Sequence, residues 1–82
     1  MDLQEVRAKI DVIDDEIARL YAQRMELAVD VAENKTKEGL QVENYEREKQ
    51  IISRVTADMP DTMKLYCKQV FETMFETSKA YQ

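Results

Sequence analysis

Apolar residues recur every three or four positions along the first part of the chain. These positions, here named the first-helix stripe, are Leu3, Val6, Ile10, Ile13, Ile17, Leu20, Leu27 and Val31. The period near 3.5 is typical of a helix that pairs with another long helix. We predict a helix from about Leu3 to about Lys37, ended by Gly39, which can adopt the left-handed conformation that closes helices. At ~1.5 Å per residue this helix is ~50 Å long, more than the width of a compact domain of this size.

Two shorter helices are predicted in the second half of the chain. Residues 40–43 read as an extended link, and Asn44 can cap a second helix that runs to about Ala57. After another break, Asp61 can cap a third helix from about Thr62 to the end. The predicted apolar faces are Ile51, Ile52 and Val55 in the second helix, and Met63, Cys67, Val70, Phe71 and Met74 in the third.

The composition agrees with an all-α fold in a single domain over residues 1–82. The 82 residues include one glycine and one proline, and helix-forming residues are abundant. A monomer of this size buries only ~60% of the surface that its unfolded chain exposes. Together with the long first helix, this predicts a three-helix protomer within an intertwined helical homodimer.

The charge and the missing residue types exclude several classes of function. A net charge of −5 disfavours general binding to nucleic acid or anionic membranes, so a cationic site must be local. No signal-peptide pattern or membrane-spanning run occurs, which predicts a cytoplasmic protein. The absence of histidine excludes His-dependent triads and zinc sites, and Cys67 is predicted to be a small buried apolar residue. No metal or cofactor is expected.

Polar residues interrupt the apolar faces of all three helices. Arg24 replaces an apolar residue in the first-helix stripe. The other members of this set are Lys35 in the first helix, Asn44, Arg47 and Glu48 in the second, and Ser78 and Gln82 in the third. If these faces converge, they form a pocket with several cations, one carboxylate and neutral hydrogen-bonding groups. Such a pocket suits a small polyanion that bears a hydroxyl, whereas phosphate is disfavoured because no glycine-rich loop is present.

Each of these residues also has an ordinary structural explanation. Arg24 can reach the surface along its aliphatic stem, or pair with Glu26 or Glu48. Lys35 can stabilise a helix C-terminus, Asn44 can act as a cap, and the others can be solvated charges or parts of a frayed terminus. Only the convergence of the whole set favours a binding pocket.

Arg7 flanks the first-helix stripe but lies ~25 Å from Arg24 along the same helix. One small ligand therefore cannot contact both residues within one protomer. If the first helices of two protomers cross antiparallel near Asp15, the partner's Arg7 lies beside Arg24. The dimer would then carry two equivalent composite sites.

A series of residue identities and spacings runs through the chain. It reads Val6-Arg7-x-x-Ile10-Asp11-x-Ile13-Asp14, then Arg24-Met25-x-Leu27-Ala28, then Lys35, then Val42-x-Asn44-x-x-Arg47-Glu48, and finally Ser78-x-x-x-Gln82. This series resembles the all-helical chorismate mutase family over nearly the whole chain. Asn44 departs from the family pattern, because an acid is common at that position.

The resemblance implies a domain-swapped helical dimer that converts chorismate to prephenate by a Claisen rearrangement, on the route to phenylalanine and tyrosine. It also implies a role for each cation near the substrate carboxylates. Arg24 and the partner's Arg7 would bind these carboxylates, with Arg47 and Ser78 assisting at the same end of the pocket.

The resemblance further implies which residues act on the reacting centre. Lys35 would contact a carboxylate and the ether oxygen, and Gln82 would be the second donor to that oxygen. Glu48 would accept a hydrogen bond from the ring hydroxyl, with Asn44 nearby. A pericyclic rearrangement is unimolecular and needs no nucleophile, metal or cofactor, which agrees with the absence of histidine.

Two other functions stay open at this point. Isochorismate pyruvate lyase has the same fold and uses a cationic pocket for a related dianion. A non-catalytic helical dimerisation or regulatory module would instead use the charged residues for structure alone.

Overall fold

The computed structural model describes residues 1–39 and 44–82, and these form three α-helices. The helices are α1 (Leu3–Glu38), α2 (Tyr45–Thr56) and α3 (Asp61–Tyr81). The predicted all-α, three-helix protomer with a long first helix is therefore confirmed. The predicted extended link at residues 40–43 lies outside the described residues.

The ends of α1 follow from its sequence. The Asp2 carboxylate accepts a hydrogen bond from the backbone N–H of Glu5 at 2.8 Å and so caps the N-terminus. At the other end, Gly39 has a φ of 74°, and its N–H donates to the carbonyl oxygens of Lys35 and Thr36. This left-handed conformation is strained for residues with a side chain, so the glycine ends the helix where the sequence predicts.

The starts of α2 and α3 differ in how they are capped. The Asn44 side chain accepts from the backbone N–H of Arg47 at 3.0 Å, which confirms the predicted cap of α2. The predicted cap of α3 is wrong, because Pro60 occupies the N-cap position and Asp61 is the first helical residue. Pro60 already has an extended ψ of 152°, and its carbonyl accepts from the N–H of Lys64 at 2.9 Å. Asp61 instead places its charge in the first turn, where the helix dipole favours an anion.

α3 is the common packing partner of the other two helices. Both α1 and α2 pack on α3, whereas no Cα atoms of α1 and α2 lie within 8 Å of each other among the described residues. The principal extents are 54 × 26 × 17 Å and the radius of gyration is 15.7 Å. A compact chain of this length has a radius of gyration of roughly 12 Å, so the protomer is elongated.

One protomer does not enclose a core of its own. Phe75, 6% exposed, is the one buried apolar residue in the part of the chain that the structure describes. The accessible surface is 6758 Å², about a third more than the ~5100 Å² expected of a compact protein of this mass. The predicted burial of Cys67 is wrong, since this free thiol is only partly buried. Met63 and Val70, on the predicted α3 face, are 53% and 59% exposed because no described part of the protomer covers that part of the face.

The first half of α1 is solvated on every side in the protomer. All of residues 1–20 are exposed. Among its charges, the Glu16 carboxylate accepts from the Arg19 guanidinium, and this hydrogen bond raises the pKa of Arg19. Within the described ranges, no group of three or more potential metal-ligating side chains comes together, and no helix is long and apolar enough to cross a membrane.

Candidate active site

A pocket of about 310 Å³ opens between the second half of α1, the start of α2 and the end of α3. Every predicted site residue except one lines it: Arg24, Lys35, Asn44, Arg47, Glu48, Ser78 and Gln82. The remaining lining residues are Leu27, Ala28, Val31, Ile51, Phe75 and Lys79. Arg7 does not line the pocket and is exposed near the start of α1. The three helices therefore bring the polar set together, and Arg7, which is predicted to come from a partner protomer, lies outside the pocket of its own chain.

Arg24 is held at the pocket by two residues of α3. Its Nη1 donates to the Ser78 Oγ at 3.3 Å, and its Cζ lies 5.4 Å from the centroid of the Phe75 ring. The Ser78 hydroxyl in turn donates to the Met25 sulfur at 3.5 Å, and Ser78 is only 5% exposed. A cation over an aromatic face is attracted to the negative potential of that face. The guanidinium is thus fixed in place by neutral groups.

The alternative pairing of Arg24 with Glu26 or Glu48 is wrong within the described residues. Glu48 instead accepts from Lys79, with 3.0 Å between Glu48 Oε2 and Lys79 Nζ. The two side chains are 21% and 27% exposed, respectively, so this ion pair is partly buried. Among the described residues Arg24 contacts Ser78 and Phe75 and no carboxylate, so its charge remains available to a ligand.

Phe75 and Lys79 are site residues that the sequence reasoning missed. The predicted apolar face of α3 passed through Met74, whereas the structure buries Phe75. A signal was nevertheless present in the spacing of the pocket-lining residues of α3, which are Phe75, Ser78, Lys79 and Gln82. These positions are i, i+3, i+4 and i+7, which lie on one face of a helix.

The pocket is locally cationic although the chain is acidic. The lining carries four cationic side chains, Arg24, Lys35, Arg47 and Lys79, and one carboxylate, that of Glu48. The whole chain has a net charge of −5. Charge-assisted donors gathered around one small volume favour a ligand with more than one negative charge.

Comparison with known proteins identifies relatives of this arrangement. The chorismate mutase type II family matches residues 6–82. A chorismate mutase of Methanocaldococcus jannaschii is 37% identical over 90 residues, which cover 98% of this chain and 83% of that protein. A bifunctional chorismate mutase/prephenate dehydratase of Aquifex aeolicus is 41% identical over 54 residues, which cover 66% of this chain and 15% of that longer protein.

A solved structure agrees with the fold. The structure of a chorismate mutase from Thermus thermophilus is similar with a TM-score of 0.83 and 26% sequence identity. The match covers 93% of this chain and 96% of the other. The family match and the first of these relatives span nearly the whole sequence, including all three helices that form the pocket. This chain therefore belongs to the chorismate mutase type II family.

Proposed function

We propose that the pocket catalyses the rearrangement of chorismate to prephenate. The observation that carries the proposal is the convergence of cations and neutral donors from three helices around a single lining carboxylate. Chorismate is a dicarboxylate with a ring hydroxyl, so its charge and its polar group match this lining. Membership of the family supplies the identity of the substrate.

The reaction breaks a carbon–oxygen bond and forms a carbon–carbon bond within one molecule. The protein therefore has to hold the flexible ether in its compact reactive conformer and stabilise the charge that develops on the ether oxygen. Arg24 and Arg47 are suited to hold the carboxylates. Lys35 and Gln82 are suited to donate to the ether oxygen, and their donors account for the larger electrostatic part of the catalysis.

Two further contacts of the pocket fit this assignment. The buried hydroxyl of Ser78 accepts from Arg24, so it assists carboxylate binding by orienting the guanidinium. Glu48 accepts from the ring hydroxyl, and Asn44 lies nearby as the cap of α2. No residue of the pocket is assigned as a nucleophile or a proton-transfer group, because the rearrangement uses neither.

The active unit in this proposal is a cytoplasmic homodimer in which the partner's Arg7 completes each site. The excess accessible surface of the protomer supports dimerisation, and so does the first-helix stripe, whose members are exposed from Leu3 to Leu20. Arg7 lies ~25 Å from Arg24 along α1, so it reaches a site only in another protomer. An antiparallel crossing of two α1 helices near Asp15 brings the two arginines together.

The direct test is to add chorismate to the purified chain and follow the loss of its ultraviolet absorbance, with identification of the product. We expect saturable conversion to prephenate, and no acceleration over the spontaneous reaction contradicts the proposal. Isochorismate is supplied separately, because release of pyruvate from it without mutase activity would assign the chain as a lyase. Absence of saturable binding of either compound would favour a non-catalytic module.

Mixing two inactive variants tests the composite site. Arg7→Ala and Lys35→Ala chains each lack one part of every site in their homodimers. In a mixed dimer, one site recovers both parts and the other loses both. Unfolding and refolding an equal mixture should therefore restore about a quarter of the wild-type activity, since half of the dimers are mixed. No recovery would show that Arg7 acts within its own protomer, and an active Arg7→Ala homodimer would show that Arg7 has no role.

A further inference from the structure

Lys79 contacts two residues of the first turn of α2. Its Nζ lies 3.0 Å from Glu48 Oε2 and 5.1 Å from the centroid of the Tyr45 ring. Tyr45 and Glu48 are three residues apart and therefore lie on the same side of α2. The ammonium thus bridges from α3 to the side of α2 that carries the pocket carboxylate.

This contact matters because α3 is the helix on which α2 packs among the described residues. Both α1 and α2 pack on α3, while the described parts of α1 and α2 make no close backbone approach to each other. The distance between Glu48 on α2 and the α1 cations Arg24 and Lys35 therefore depends on how α2 is seated on α3. A partly buried ion pair at this junction is less screened by solvent than a surface pair.

We infer that Lys79 is a positioning residue that orients the Glu48 carboxylate for the ring hydroxyl of the substrate. The inference rests on the proposed function, in which Glu48 accepts from that hydroxyl. The ion pair engages Oε2, and a carboxylate has two oxygens with several acceptor sites, so Glu48 can bind Lys79 and a hydroxyl at once. The ring of Tyr45 keeps the ammonium on this side of α2 by a cation–π contact.

Direct contact of Lys79 with a substrate carboxylate is the competing role. The observed pairing favours positioning, because the Lys79 ammonium is already engaged by both an anion and an aromatic face. The two roles differ in what they depend on. A positioning residue acts only while Glu48 and the ligand hydroxyl are both present, whereas a direct contact acts without either.

The first experiment is a double-mutant cycle of Lys79→Met with Glu48→Ala. We expect Lys79→Met alone to raise KM about tenfold with kcat changed less than about threefold, because the hydroxyl takes no part in bond making or breaking and its contact is largely uniform binding. In the Glu48→Ala background, Lys79→Met should change KM by less than about a further twofold. In Lys79→Arg, KM should return most of the way to the wild-type value. Lys68→Met, an exposed change on the same helix outside the pocket, is the matched control.

The second experiment measures binding without turnover. Calorimetry compares two stable analogues of the substrate, one that keeps the ring hydroxyl and one that lacks it. Lys79→Met should weaken the first by about tenfold and leave the second within about twofold. Equal weakening of both analogues, or no weakening of either, overturns the inference.

The remaining outcomes are also decisive. Absence of wild-type turnover contradicts the proposed function alone, because the calorimetric comparison does not use catalysis. If Lys79→Met does not fold, Lys79→Gln replaces it in both experiments. Failure of both variants to fold overturns the inference, since the ion pair would then be needed for the fold and not for the orientation of Glu48.

Discussion

The two halves of α1 carry one apolar pattern but have different surroundings. From Leu3 to Leu20 every residue is exposed, and Ile13 and Ile17 in the middle of the stripe are 56% and 58% exposed. The second half contains the partly buried residues Tyr21, Arg24, Met25, Ala28, Val29, Ala32 and Lys35. Hydrogen bonds from Tyr21 and Arg24 join this half to α3. The first half makes no such contact within the described protomer.

The face that packs near α3 is adjacent to the first-helix stripe and not identical to it. Leu27 and Val31 continue the stripe yet remain 62% and 48% exposed, whereas Ala28 and Ala32 beside them are partly buried. One residue step turns the helix by ~100°, so the two sets point in different directions. The contact with α3 uses Tyr21, Arg24 and Met25. Leu27 and Val31 line the pocket, and the stripe from Leu3 to Leu20 is left for a helix of another protomer.

The largest expected effect comes from a charge in the exposed stripe. Ile13→Asp would bury an unpaired carboxylate in the proposed dimer interface, at a cost of about 4 kcal/mol or more. We expect dissociation of the dimer and loss of at least ~10³-fold in activity, since each site then lacks the partner's Arg7. Light scattering measures the mass, and Ala8→Asp, off the stripe in the same half, is the control. A dimer that survives Ile13→Asp contradicts the proposed interface.

A substitution in the second half of α1 should have the opposite consequence, which is a loss of catalysis in an intact dimer. Lys35→Ala removes a proposed donor to the ether oxygen, which typically costs ~10²–10³ in kcat. Circular dichroism and light scattering should show an unchanged dimer. Lys37→Ala, exposed in the same last turn and outside the pocket lining, is the matched control and should keep normal turnover. Near-normal kcat in Lys35→Ala refutes the assignment.

A smaller effect is expected from the ring beneath Arg24. Phe75→Leu keeps an apolar side chain but removes the cation–π contact, which is worth about 0.5–2 kcal/mol. We expect kcat/KM to fall about 3–10-fold as the guanidinium loses its support. Phe71 packs edge-on against Phe75 with the ring centroids 6.2 Å apart, and it does not line the pocket. Phe71→Leu should therefore lower the free energy of unfolding without changing KM. An equal fall of kcat/KM in both variants argues against positioning by Phe75.

The smallest effect marks the boundary between the two halves. The Tyr21 hydroxyl hydrogen-bonds the Thr77 Oγ1 at 2.8 Å, at the start of the half that packs on α3. Tyr21→Phe should lower the free energy of unfolding by about 0.5–1.5 kcal/mol, as measured by urea denaturation at fixed protein concentration. Gln23→Ala, an exposed change in the same turn of α1, should have a free energy of unfolding close to that of the wild type. An unchanged free energy of unfolding in Tyr21→Phe would mean that the half of α1 that packs on α3 begins further along the helix.

Local chemistry made the helices predictable. The period of the stripe, the left-handed Gly39 and the Asn44 cap each depend on a few neighbouring residues, so their effects can be read without the fold. The start of α3 was mispredicted, because both Pro60 and Asp61 suit a helix N-terminus and the sequence does not rank them. The family was predicted from residue identities and spacings, and the family match confirms it.

The candidate site was only partly predictable. The sequence singled out the polar residues that break apolar faces, since an isolated charge on such a face needs an explanation. Phe75 and Lys79 escaped notice, because an aromatic residue on an amphipathic helix and a lysine near its end are ordinary in isolation. Their roles become visible only through contacts with Arg24 and Glu48, which lie 51 and 31 positions away in the chain.

The sequence by itself determined the helices, the family and the set of polar residues assigned to the pocket. These follow from local spacing and from residue identities along one chain. The tertiary structure alone decided that Arg24 is held by neutral groups, that Glu48 pairs with Lys79, and that half of α1 lacks a partner in the described protomer. Such pairings depend on how whole helices are seated against each other, because contacts between distant residues are fixed by packing geometry and not by local periodicity.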